Sequence, residues 1–239
     1  SDANLIIFAE NNYPYLIKNL ELNKIQSILS KDQTVIIGGT RIDEENYFNS
    51  FFNITYSKIE YFDKKILVPF GEFLPLRKFL KFMLPISGPS DYSIGDKTRL
   101  IELNDQLNYI PVICYEITYY WKLIDNLNSK SNFFVNITND IWFGKYLGPY
   151  QHFYLSKLRA AEFNKPLIRV SNNGISGIFD NNGKVLSTIQ LNEIGSKKYK
   201  LKIKNENNFY KIHKILNIYI IVIFLLFLLI KFTRKNEHK

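Results

Sequence analysis

One cysteine, Cys114, stands in a chain of 239 residues. That scarcity excludes an internal disulfide and any metal site built from several thiolates. No arginine-rich stripe and no nucleic-acid motif accompanies the formal charge of +9. The lysines are scattered, so nucleic acid is not an expected partner. The sequence has no internal repeat and no low-complexity linker, and no motif calls for a metal or an organic cofactor. It begins Ser-Asp-Ala, without Met and without a signal-peptide pattern, and so reads as a fragment or processed piece of something longer. A lone cysteine is more often a small buried hydrophobe than a nucleophile, so its context must decide.

What is present is ample for a folded domain. Hydrophobic residues make up 46% and charged residues 22%, a globular balance. Residues 215–232 read ILNIYIIVIFLLFLLIKF, apolar apart from Asn217 and Lys231. At 1.5 Å per residue this run covers about 27 Å, close to the hydrocarbon thickness of a bilayer. It is apolar all round, unlike a surface helix. Tyr219 lies near one end, and the tail after the run is basic. The pattern predicts a transmembrane helix over 215–232 with residues 233–239 in the cytoplasm and the preceding domain on the opposite, periplasmic side. Residues 197–214, polar and basic, read as a connector.

Before that, short apolar runs alternate with helical periodicity. Strands are predicted over 4–9 (NLIIFA), 34–38 (TVIIG), 47–56, 109–114 (YIPVIC), 133–137 (FFVNI) and 167–170, and helices over 15–29 and 151–163. Asn182-Gly183, between residues 177–180 and 185–189, signals a hairpin. The mixture predicts a layered α/β domain over residues 1–196. Glu10, Cys114, Asn139 and Asp140 fall at strand ends, where α/β folds place their chemistry.

Four constellations carry chemistry. Glu10, in FAENN, is placed to act as a general base. In KKILVPFGEFLPL, Lys64 and Glu72 flank a rigid Pro/Gly turn, and a lysine there can steady an oxyanion or lower a thiol pKa. In PVICYEI, Cys114 ends a buried strand and is followed by Tyr115 and Glu116; as a nucleophile it needs a base and a cation nearby. In NITNDIWFGKYLGPYQH, Trp142, Phe143, Tyr146 and Tyr150 form an aromatic loop suited to a substrate entrance. His152 offers a Cys/His dyad on residue type alone, and such a dyad is recognised only by geometry.

Glu10, Lys64 and Cys114 occur in the order of the Glu-Lys-Cys triad of the nitrilase, or carbon–nitrogen hydrolase, superfamily. Within it, LVPFGEFLPL, ICYEI, TNDIWFGKYLGPYQH, RAAEFNKPLIRVSNNGISG and the C-terminal apolar run resemble the apolipoprotein N-acyltransferases. The resemblance implies an αββα sandwich at the periplasmic face of the bacterial inner membrane, followed by one transmembrane helix. It implies that Cys114 takes an acyl group from a phospholipid and passes it to the α-amine of a diacylglyceryl-cysteine on an apolipoprotein. Glu10 would then be the base and Lys64 the oxyanion stabiliser, with Glu72, Tyr115, Glu116, Asn139 and Trp142 as supporting or substrate-binding residues, and no metal. Phe8-Ala9 stand where the family commonly has Trp-Pro. The family's first strand and helix, and its N-terminal bundle of membrane helices, have no counterpart here and would belong to a separate portion; a sheet short of an edge strand exposes unpaired backbone. Two other readings use the same residues: an amidase acting on a small soluble amide, and a non-catalytic remnant.

Overall fold

The computed structural model describes residues 2–13, 15–80, 82, 90–104, 107–124, 131–203 and 210–237, with side chains of the C-terminal helix described over 218–231. Ten strands form two sheets. The first has the order β1-β2-β3-β4, built from Leu5–Ile7, Thr34–Asp43, Asn46–Thr55 and Ile59–Asp63. The second has the order β10-β9-β8-β7-β6-β5, from Val185–Ile189, Ser176–Phe179, Leu167–Asn172, Ser131–Asn139, Leu107–Ile113 and Ile101–Asn104. Helices α1 (Asn19–Ser27), α2 (Tyr120–Ile124), α3 (Leu147–Phe163) and α4 (Tyr210–Glu237) complete the described regular structure.

Side-chain alternation along the strands makes the layers. In β2, Ile36 points between the sheets while Val35 and Ile37 point outward. In β7, Phe133, Val135 and Ile137 point between the sheets, and Phe134 points outward. The inner layer joins Ile36, Phe51 and Phe62 to Tyr109, Ile113, Phe133, Val135 and Ile137. Leu22 of α1 and the following Leu29 cover the outside of the first sheet, against Val35, Ile37, Phe52 and Ile54. Ala160 and Phe163 of α3 cover the outside of the second, against Ile110, Val112, Phe134, Leu167 and Phe179. Strands covered on both faces explain the continuous apolar runs in the sequence. The architecture is the expected αββα sandwich.

Some boundaries differ from expectation. The helix predicted from residue 15 starts at Asn19, because Leu16 bridges Thr40 in parallel and the Ile17 N–H donates to the Thr40 carbonyl at 2.9 Å. The helix predicted from 151 starts at Leu147, with Pro149 in its first turn, where its missing N–H costs nothing. β4 and β5, strands of five and four residues that carry charged side chains, were not predicted; β5 alternates Ile-Glu-Leu-Asn but is too short for the alternation to stand out. The C-terminal helix begins at Tyr210, within the stretch expected to be connector. Among the described residues no helix is long and apolar enough to cross a membrane. Within α4, residues 218–230 are each 45% to 64% exposed.

Candidate active site

The ends of β4, β6 and β7 and the turn after β1 converge at one end of the sandwich. β6 and β7 run parallel, so Cys114 and Asn139–Asp140 emerge side by side. Gly38 of β2 allows the close approach of the β1 turn. A Cβ there would lie 2.7 Å from the Glu10 Cα and 2.9 Å from Ile137 Cδ1.

Lys64 follows β4 and is 1% exposed. Its ammonium lies 2.8 Å from Glu72 Oε1 and 3.5 Å from Glu10 Oε1. Burial alone would push this ammonium down, but Glu10, Cys114 and Glu72 hold it above its ordinary range. It remains a fixed cation. Glu10 Oε2 accepts the Asn139 N–H at 2.9 Å, and the Glu10 carbonyl accepts Asn172 Nδ2 at 2.9 Å. Glu72 Oε2 accepts the Val68 N–H at 2.9 Å, closing the turn in which Phe70 adopts φ +66°. Asn49 spans both carboxylates, its Nδ2 donating to Glu10 Oε1 at 2.8 Å and to Glu72 Oε1 at 2.7 Å.

Cys114 opens a 3₁₀ turn, Cys114–Thr118, with φ +50°. A left-handed backbone at a non-glycine residue is a strained conformation that the surroundings must enforce. The thiol is buried, and its Sγ donates to the Asn139 carbonyl oxygen 3.9 Å away. Burial and the neighbouring Glu10 charge push it up to about 12, against the opposing pull of Lys64. At rest it is a thiol, so its activation requires a base, and Glu10 is the carboxylate bound to the same Asn139 residue as the thiol.

The other expected residues divide. Glu116 is fully buried and accepts from the backbone N–H groups of Lys65 (2.8 Å), Ile66 (3.1 Å) and Ile113 (2.9 Å) and from both Arg99 terminal nitrogens at 2.7 Å. Burial opposes its ionisation, but Arg99 holds the carboxyl below its usual range. Every one of these contacts is internal, so Glu116 ties the Lys64 loop to the cysteine turn and presents nothing to a ligand. Tyr115 packs on Tyr119, Phe143 and His152, with ring centroids at 5.8, 6.2 and 6.0 Å. Asn139 meets the site through its backbone, while its side chain accepts the Ile141 N–H at 3.2 Å. Trp142 is 77% exposed on the turn Ile141–Phe143. His152 forms no dyad with Cys114: its Nδ1 lies 2.8 Å from Asp140 Oδ1, and its Nε2 is buried without a hydrogen-bond partner. Among the described residues no cluster of His, Cys, Asp or Glu has the form of a metal site.

Sequence reading missed Asn49 and Arg99. Asn49 was legible in part, as a polar residue among the aromatic residues of NYFNSFF. Arg99 gave no signal, since its partner Glu116 lies across the fold.

Residues 1–199 match the carbon-nitrogen hydrolase family. The chain is 35% identical over 205 residues to the apolipoprotein N-acyltransferase of Rhizobium etli, covering 80% of this chain and 38% of that protein. To that of Rickettsia typhi it is 36% identical over 202 residues, covering 80% and 40%. The chain thus spans about two fifths of the length of these curated relatives. A CN-hydrolase superfamily protein from Xanthomonas campestris shares the fold, with a TM-score of 0.57 at 15% identity over 81% of this chain and 76% of that one. Nit3 of Saccharomyces cerevisiae, a nitrilase-superfamily member, does so with a TM-score of 0.60 at 16% identity, covering 81% and 74%. The αββα sandwich, the meeting of Glu10 with Lys64 beside Cys114, and the match over residues 1–199 lead to one conclusion: the chain belongs to the carbon–nitrogen hydrolase family.

Proposed function

We propose that this chain carries the acyl-transfer site of a lipoprotein-modifying N-acyltransferase. The observation that carries the reading is the buried Glu10–Lys64 pair, with Glu10 held by the Asn139 N–H and the Cys114 thiol donating to the carbonyl of the same residue. As the thiol attacks the ester carbonyl of a phospholipid, Glu10 takes its proton and a carbon–sulfur bond forms. Lys64 is already charged and fixed, so it stabilises the oxyanion without reorganisation. Collapse breaks the ester carbon–oxygen bond, and the proton on Glu10 passes to the departing lysophospholipid. The thioester on Cys114 is then attacked by the α-amine of a diacylglyceryl-cysteine. Glu10 removes the amine proton as the carbon–nitrogen bond forms, the carbon–sulfur bond breaks, and Glu10 returns the proton to the Cys114 sulfur. Glu72 and Asn49 keep Lys64 and Glu10 in register. Neither step needs a metal.

Two features support lipid over a soluble amide. The relatives of Rhizobium etli and Rickettsia typhi are named for apolipoprotein acylation. The residues around the cysteine turn also leave Trp142, Tyr146, Leu147 and Phe70 exposed. In this reading the run 215–232 of α4 lies in the inner membrane, with the sandwich on the periplasmic face and a separate membrane-helix portion completing the lipid site. The test is to reconstitute the chain in phospholipid vesicles and add a synthetic S-diacylglyceryl-cysteine peptide. A gain of one acyl mass on the peptide is expected. No gain, together with hydrolysis of small amides, would replace this reading with the amidase one.

A further inference from the structure

Beneath the cysteine turn lies a second buried polar cluster that the acyl-transfer steps do not use. It forms on the outward face of the second sheet. Asn136 and Thr138 share that face with Phe134, opposite the inner layer, and Asn136 is the register partner of Arg169 on β8. Arg169 is 1% exposed and is surrounded by acceptors: Asp140 Oδ2 at 2.5 Å, Asn136 Oδ1 at 2.9 Å, the Ile175 carbonyl at 3.1 Å and Ser156 Oγ at 3.4 Å. Its Nη2 also lies 3.2 Å from His152 Nδ1. Asp140 is fully buried, with His152 Nδ1 at 2.8 Å and the Thr138 hydroxyl donating at 3.2 Å. Burial and Arg169 hold His152 below its ordinary range, so Asp140 and Arg169 are the charged partners and His152 is neutral. Gly174 lets the loop after β8 close on Asp140; a Cβ there would strike the carboxylate.

This cluster reaches the nucleophile by three routes. Arg169 fixes the Asn136 amide, whose Nδ2 donates to the Val112 carbonyl at 3.2 Å and the Cys114 carbonyl at 3.4 Å. Asp140 is the covalent neighbour of Asn139, whose N–H holds Glu10 and whose carbonyl receives the thiol. Thr138, bound to Asp140, also acts on the thiol directly. A cysteine at φ +50° stays there only if its surroundings over-determine it.

We propose that Arg169, Asp140 and His152 form a positioning clamp that holds Cys114 in its left-handed conformation and the Asn139 peptide between the thiol and Glu10. They are positioning residues, acting through Asn136, Thr138 and Asn139. The consequence for acyl transfer rests on the function proposed above; the consequence for the thiol does not.

The test uses the full chain in detergent and the neutral double variant Asp140→Asn/Arg169→Gln, which removes both charges and leaves neither ion unpaired. Gly174→Ala is a second route to the same displacement. Leu22→Ala, under α1 on the far sheet, is the control for lost stability alone. Iodoacetamide labelling of Cys114 is followed by intact mass across pH, with thermal unfolding measured for each protein. In the wild type, labelling is expected to rise only at the alkaline end. In the double variant and in Gly174→Ala, displacement of the cysteine turn relieves the burial that raises the thiol, which outweighs the lost Thr138 and Asn139 bonds, and the profile is expected to move at least one pH unit toward that of an ordinary thiol, about 8.5. Leu22→Ala should keep the wild-type profile despite a lower melting temperature. A wild-type profile in the folded double variant and in Gly174→Ala, or an equal shift in Leu22→Ala, would overturn the clamp. Acylation by p-nitrophenyl butyrate gives a separate reading. The burst rate is expected to fall about a hundredfold in the double variant with little change in KM, the scale of a 1 Å misplacement. A wild type without a burst would count against the acyl-transfer reading, while the labelling profiles still decide the clamp.

Discussion

The sandwich and the C-terminal helix treat polarity in opposite ways. The sandwich buries charge: Lys64, Arg99 and Arg169 are each 1% exposed, and Glu116 is fully enclosed. Helix α4 does the reverse and exposes Ile, Leu, Val and Phe along residues 218–230. Buried charge is tolerable only when each ion has its partners, because the desolvation cost otherwise exceeds any gain. Here Lys64 faces two carboxylates, Glu116 meets the Arg99 fork and three backbone donors, and Arg169 faces Asp140. Exposed hydrocarbon is equally costly in water, at about 25 cal/mol per Å². The two regions are therefore built for different surroundings: one excludes water around paired ions, and the other needs an apolar medium or partner.

The strongest way to break this contrast is to strip a buried ion of its partner. Lys64→Met leaves Glu10 and Glu72 sharing only the Asn49 amide. It is expected to abolish acylation of Cys114 and to cost about 3–5 kcal/mol in urea unfolding. Arg99→Met leaves Glu116 with backbone donors alone. A similar loss of about 3 kcal/mol is expected, with the Arg99→Met/Glu116→Gln double variant recovering part of it, because the neutral amide oxygen still accepts from the Lys65, Ile66 and Ile113 N–H groups; a melting series on the three proteins checks this.

The helix should respond in the opposite sense. Ile223→Lys adds a charge at a residue that is 64% exposed. Sandwich stability in detergent should stay within about 0.5 kcal/mol. Retention in vesicles, read by flotation, should drop, since a charge at the centre of a membrane helix costs roughly 2.5–3.5 kcal/mol. Unchanged flotation would mean that α4 finds its apolar surroundings elsewhere.

The smallest effect concerns pH. His152 is held below its ordinary value in the fold, so between its folded and unfolded values the unfolded chain binds the extra proton. Stability should therefore fall as pH drops below about 6.5. Asp140 and Glu116 are held low, so their contribution persists above the ordinary carboxylate range and is lost only in stronger acid. His152→Asn should flatten the melting temperature between pH 7 and 5 and leave the acid limb in place.

Much of the sandwich was legible because its strands are covered on both faces and write continuous apolar runs, as in TVIIG and FFVNI. β4 and β5 escaped because strands of five and four residues are too short for alternation to stand out. The triad order and the neighbouring Glu72 were legible; the roles of Asn49 and Arg99 were not. Glu116 looked like a residue beside a substrate because it follows the cysteine. Its actual partners, Arg99 and the Lys65 and Ile66 amides, are remote in sequence. His152 invited a dyad because residue type says nothing of direction, and the fold turns its ring to Asp140.

The most direct measurement is the intact mass of the chain after incubation with phospholipid. The account predicts one added acyl group, located on Cys114, released by neutral hydroxylamine and absent from Cys114→Ala. A folded chain with Glu10 and Lys64 intact that gains no acyl mass, or gains it equally in Cys114→Ala, would contradict the account.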